Sequence, residues 1–115
     1  MPNLHQQYID GEWTDSDGET FTSENPATGD TLGEFQRATT REVDEAVAAA
    51  DAAFEEWRSL SRIDRAEYLW DIYHELRDRH QELGEAVTRE CGKEISEGKA
   101  DVTEAWHMVE WAAGD

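Results

Sequence analysis

Only one cysteine, two prolines and two lysines occur among the 115 residues of this chain. A single thiol cannot build an internal disulfide framework, which fits a reducing interior. The lysine poverty is part of a wider imbalance: 28 acidic residues against 10 basic ones leave a net charge of −18. That excludes ordinary phosphate-backbone binding, which needs Lys and Arg to displace counterions, and it argues against anionic membrane surfaces. No apolar run approaches the ~20 residues of a membrane-spanning helix. The opening MPNLHQQYIDGEW has no basic stretch followed by an apolar one, so it is not a secretory signal. A soluble, cytoplasmic protein is expected. Motifs are also missing. There is no G-x-G-x-x-G, G-x-S-x-G or H-E-x-x-H. "GKEISEG" fails as a phosphate loop, because position 87 is valine where glycine is needed and position 94 is glutamate where Ser or Thr is needed.

What is present is dispersed acid and concentrated aromatic surface. The acids run along the whole chain rather than forming a tail, a pattern suited to a salt-rich cytoplasm where screening relieves self-repulsion. The hydrophobic share is 37%, below the ~45–50% of ordinary globular domains. Five tryptophans in so hydrophilic a chain imply either a compact aromatic core or a face that waits for further chain. A chain of this length leaves much of its surface exposed and is marginal alone.

Residues 1–6 are expected to be a flexible N-terminus, and residues 7–38 a hairpin or short antiparallel β-meander. Asp10-Gly11 lies between the β-formers Tyr8-Ile9 and Glu12-Trp13, a strong hairpin signal because both turn residues need positive φ. "TDSDGET" is a second turn, "TFTSENP" a strand ended by Pro26, "NPATGD" a further turn and "TLGEFQRA" the last strand. Residues 39–115 predict three amphipathic helices, at about 40–58, 62–91 and 95–113. Thr39 and Glu42 form a capping box for the first, and its apolar positions are Val43, Ala46, Val47, Ala50, Ala53, Phe54 and Trp57. Ser61 with Asp64 caps the second, which carries Ala66, Leu69, Tyr73, Leu76, Leu83 and Val87 and ends near Cys91-Gly92. Val102, Ala105, Trp106, Val109 and Ala112 share one face of the third. The chain then stops at that helix's own cap, as if cut between elements.

Two constellations invite a chemical reading. Cys91 has Lys93 close by, but a nucleophilic thiolate needs a base or a helix N-terminus, and Cys91 stands at a predicted C-terminus where the dipole disfavours an anion. It reads as a helix-end residue. Glu104-x-x-His107 and Asp71-x-x-His74 match the carboxylate–histidine spacing of di-iron bundles. In so acidic a chain, four histidines give roughly one such match by chance, which two barely exceed, and a bundle site needs four helices and two further inward carboxylates. Spacing alone gives this chain no catalytic apparatus.

Read in order, "YIDGEW", "TFTSENPATGDTLGEF" with its Asn25-Pro26-Ala27-Thr28-Gly29, "REVDEAVAAADAAFEEWRSLSRIDRAEYL", "LRDRHQELGEAVTRECGKEISEGKADV" and "VEWAAGD" resemble the N-terminal segment of the aldehyde dehydrogenase superfamily, from Tyr8 to Gly114. The resemblance implies an α/β fold of which this chain is the incomplete N-terminal part of the NAD(P)-binding domain, its helices flanking the cofactor sheet. It implies an enzyme that oxidises an aldehyde to the acid through a cysteine thioester and hydride transfer to NAD or NADP, in a homo-oligomer without nucleic-acid or membrane partners. The family's catalytic cysteine and glutamate, its oxyanion asparagine and its cofactor-binding lysine lie downstream of this segment. No catalytic or cofactor-binding residue is therefore assigned here, and the chain alone is expected neither to bind the cofactor nor to turn over. One site carries over by position: a monovalent cation held by Ser23, Glu24 and Asp101, oxygen ligands suited to a hard cation. A stand-alone acidic interaction module, or gene remnant, and a metal-binding helical bundle remain as alternatives.

Overall fold

The computed structural model describes residues 4–114. Five short strands precede four helices: β1 (Leu4–His5), β2 (Gln7–Ile9), β3 (Glu12–Thr14), β4 (Thr20–Glu24), β5 (Thr31–Gln36), α1 (Thr40–Ser59), α2 (Arg62–Asp78), α3 (His80–Cys91) and α4 (Ile95–Gly114). The chain divides into two compact units, one made of the residues up to Glu24 with Gly29–Ser59, the other of Asn25–Thr28 with Leu60 onward.

In the first unit, Asp10 and Gly11 take φ of 53° and 79°, and the turn they make pairs Ile9 with Glu12, Tyr8 with Trp13 and Gln7 with Thr14. The expected meander is not continuous. This hairpin is a sheet of its own, and β1, β5 and β4 form a second sheet in that order. Leu4 and His5, assigned by sequence to a flexible terminus, pair in parallel with Glu34 and Phe35; residues 1–3 lie outside the described residues. The His5 ring stacks on Phe35 at 4.6 Å and Phe21 on Phe35 at 5.7 Å, so aromatic cross-strand contacts hold a strand too short to declare itself in sequence. The α1 helix follows its predicted period, yet Val43, Val47, Phe54 and Trp57 stay exposed.

In the second unit, the single helix expected over 62–91 is two. Arg79, at φ −97° and ψ 17°, ends α2 and precedes α3, and its N–H still donates to the Glu75 carbonyl at 3.0 Å. The break lets α3 leave the direction of α2 and run against α4. There Gly84 and Gly98 meet so closely that a Cβ on Gly98 would lie 2.5 Å from the Gly84 carbonyl oxygen. His80, the first residue of α3, ties the bend to α4: its Nε2 is 2.9 Å from the Lys99 carbonyl oxygen and its ring meets Trp106 edge-on at 4.9 Å. Arg77 lies over both Tyr73 and Trp106. Val102, 5% exposed, is the one buried hydrophobic residue among the described residues. Ile63, Tyr68, Ile72, Met108 and Trp111 remain exposed. No helix among the described residues is long and apolar enough to cross a membrane.

Candidate functional site

The best-organised polar cluster of the first unit centres on Glu42, a residue only 4% exposed. The predicted capping box forms: the Thr39 N–H donates to Glu42 Oε2 at 2.7 Å, and the Glu42 N–H reaches Thr39 Oγ1 at a long 3.4 Å. Sequence reasoning did not find the rest of the cluster. Ser16 Oγ donates to Glu42 Oε2 at 2.6 Å and the Asp17 N–H donates to Oε1 at 3.2 Å, from residues some 25 positions away. The Ser16 hydroxyl first, then the Thr39 N–H, lower the carboxyl pKa to about 2 against the opposing effect of burial. All the donors are internal, so Glu42 joins the β3–β4 loop to the start of α1. Its role is structural.

In the second unit, Asn25–Thr28 form a turn in which the Ala27 N–H donates to Asn25 Oδ1 at 2.9 Å and the Thr28 N–H to the Asn25 carbonyl at 3.3 Å. Gly92, at φ 69°, ends α3 with its N–H on the Thr88 carbonyl at 2.9 Å. It lies so close to that turn that a Cβ would be 2.8 Å from Pro26 Cγ and 3.1 Å from the Ala27 nitrogen. The left-handed C-cap read from sequence is thus also a point of close approach. Cys91 is free and exposed at the last position of α3. Lys93 pairs with Asp101: its Nζ is 2.6 Å from Asp101 Oδ2, a bond that raises the ammonium's pKa.

The candidate cation ligands are distributed over both units. Ser23 and Glu24 end β4 at a register shift in the ladder and belong to the first unit, whereas Asp101 is in α4 of the second. The two histidine patterns lead to aromatic neighbours: His74 meets Tyr73 at 5.3 Å and His107 meets Trp106 at 6.0 Å. Among the described residues, no three His, Cys, Asp or Glu side chains come together to hold a metal.

This assembly of turn, caps and helices is what the comparisons match. The family model described as the aldehyde dehydrogenase family covers residues 13–115. The chain belongs to the aldehyde dehydrogenase family. It is 40% identical over 110 residues to malonate-semialdehyde dehydrogenase of Lacticaseibacillus casei, and 38% identical over 110 residues to malonate-semialdehyde dehydrogenase 1 of Geobacillus kaustophilus (strain HTA426), covering 95% of this chain and 22% of each relative. The crystal structure of an NAD-dependent aldehyde dehydrogenase from Sinorhizobium meliloti superimposes with a TM-score of 0.91 at 26% identity, over 99% of this chain and 24% of that one. The chain therefore spans between a fifth and a quarter of the length of the dehydrogenases it matches. The family resemblance and the α/β character of the segment hold in these comparisons.

Proposed function

We propose that this chain is the N-terminal part of an NAD(P)-dependent aldehyde dehydrogenase, one that oxidises a small acid semialdehyde to the dicarboxylate. The observation that carries the reading is the match over 95% of the chain to the first two relatives, both malonate-semialdehyde dehydrogenases. Within the complete enzyme this part is scaffold. Its helices flank the cofactor-binding sheet, and the thiolate, oxyanion donors and nicotinamide site come from the remaining length. The uncovered residues of α1 and α4, with Val47 at 64% and Trp111 at 68% exposure, support burial against more protein, since large contiguous apolar patches are rare on complete monomers. A cytoplasmic homo-oligomer in a salt-rich cell fits the charge of −18.

The deciding experiment is the intact mass of the product in its own cells, captured with antibody against residues 1–115. A polypeptide several times heavier than 13.1 kDa, reducing NAD or NADP with malonate semialdehyde, is expected. A product of 13.1 kDa would overturn the enzyme reading in favour of a stand-alone acidic interaction module, the same exposed faces then serving a partner.

A further inference from the structure

Asp-Gly occurs twice in the first unit, at Asp10-Gly11 and at Asp17-Gly18. The dipeptide is reactive, because no Cβ on the glycine obstructs its nitrogen from reaching the aspartate carboxyl carbon. Sequence makes the two sites equal, and so does exposure, since both aspartates are exposed. The structure separates them at the nitrogen. The Gly18 N–H donates to Ser16 Oγ at 3.0 Å, and the Asp17 N–H donates to Glu42 Oε1 at 3.2 Å. Arg41 holds the Asp17 carboxylate at 3.0 Å, and a Cβ on Gly18 would collide with the Arg37 carbonyl oxygen. Nitrogen and carboxylate are both engaged elsewhere. At Asp10-Gly11 the ladder closes on Ile9 and Glu12, and the Gly11 N–H has no acceptor among the described residues. A Cβ on Gly11 would meet nothing within 4 Å. Ring closure reshapes a turn whose φ values are 53° and 79°, so it waits on local opening of the hairpin. That hairpin is weak: three residues to a strand in a sheet of its own, a size marginal by itself. A cleft of about 300 Å³ separates Tyr8–Gly11 from the alanines of α1, so the helix backs the turn only loosely.

We propose that Asp10-Gly11 is a self-modification site, where the aspartate cyclises to a succinimide and reopens in part as isoaspartate, while the Glu42 network keeps Asp17-Gly18 closed to the same reaction. The Gly11 nitrogen attacks Asp10 Cγ. The N–Cγ bond forms, the Cγ–OH bond breaks, and the hydroxyl leaves with the amide proton as water. Water then adds at Cγ and restores aspartate, or adds at the backbone carbonyl carbon and leaves the chain running through the side chain as isoaspartate. No oxidant or cofactor enters. Isoaspartate lengthens the backbone of a two-residue turn, so the Ile9–Glu12 pairing and the Tyr8–Trp13 ring contact at 5.0 Å are lost.

The full chain tests this when aged in mildly acidic oxygen-18 water, since each passage through the imide leaves a labelled oxygen behind. Peptide mass spectrometry with electron-transfer fragmentation then locates both label and isoaspartate. Asp10 should take up label at least about tenfold faster than Asp17, because several hydrogen bonds must break first at the second site. Urea should bring the two rates together. Ser16→Ala, which removes the acceptor of the Gly18 N–H, should raise labelling at Asp17 severalfold and leave Asp10 unchanged. If Ser16→Ala does not fold, the wild-type ratio with and without urea decides alone. Equal rates in the folded chain, faster labelling of Asp17, or an Asp10 that labels only in urea would each overturn the proposal, as would a folded Ser16→Ala chain without effect at Asp17.

Discussion

Gly92→Ala tests the junction at the end of α3. Two separate costs fall on this substitution. The backbone at φ 69° costs an L-residue about 1 kcal/mol. The new Cβ would also stand 2.8 Å from Pro26 Cγ and 3.1 Å from the Ala27 nitrogen. The proline ring can shift a little, but the Ala27 nitrogen is backbone held by its bond to Asn25 Oδ1, so overpacking adds about 1–3 kcal/mol. Gly29→Ala separates the two costs, because Gly29 has φ of 79° with nothing within 4 Å of an added Cβ. It should lose only the conformational part, about 1 kcal/mol. At roughly 4 °C per kcal/mol for a chain of this size, Gly92→Ala should melt roughly 10 °C below wild type and Gly29→Ala about 4 °C below. The assay is far-UV circular dichroism on heating in about 1 M KCl, where the acidic surface is screened. Equal losses in the two variants would refute the close approach of the Asn25–Thr28 turn to Gly92.

Other outcomes follow from single contacts. Because the folded-state pKa of Glu42 is lowered to about 2, the unfolded chain binds the proton first. The stability it contributes is full above the ordinary glutamate range near 4.3 and is lost as pH falls from there towards 2. The urea midpoint of wild type should therefore drop more steeply than that of Glu42→Gln between pH 5 and about 3, and parallel profiles would count against the Ser16–Thr39–Glu42 network. Thr88 Oγ1 is a buried hydroxyl oxygen without a hydrogen-bond partner among the described residues, so Thr88→Val should be neutral or stabilising by up to about 1 kcal/mol. A clear loss in chemical denaturation would mean that the hydroxyl is satisfied. Cys91→Ser in the complete enzyme should leave kcat near wild type, since the thiol sits exposed at a helix C-terminus. Loss of turnover in a rate assay would make Cys91 chemical after all.

The sequence by itself determined the features whose physics is local. Ser61 caps α2 because the N–H it accepts from, that of Asp64, is three residues on. Asp10-Gly11 and Gly92 adopt positive φ because turn and cap chemistry is written in one or two residues. The ordered motifs from Tyr8 to Gly114 likewise carried the family, since each is a short local signature. Only the tertiary structure decided the rest, because the determining partner is distant in sequence. The helix over 62–91 looks continuous by period. Its break at Arg79 accompanies the meeting of Gly84 with Gly98 and of His80 with Lys99, contacts that no window along one helix contains. Glu42 reads as an ordinary capping residue until Ser16 and Asp17 close over it. Leu4–His5 becomes a strand only because β5 offers a parallel edge. Lys93 and Asp101, eight residues apart, meet at 2.6 Å only once the connector between α3 and α4 has turned. A charge and its partner set each other's meaning, and the chain brings them together only by folding.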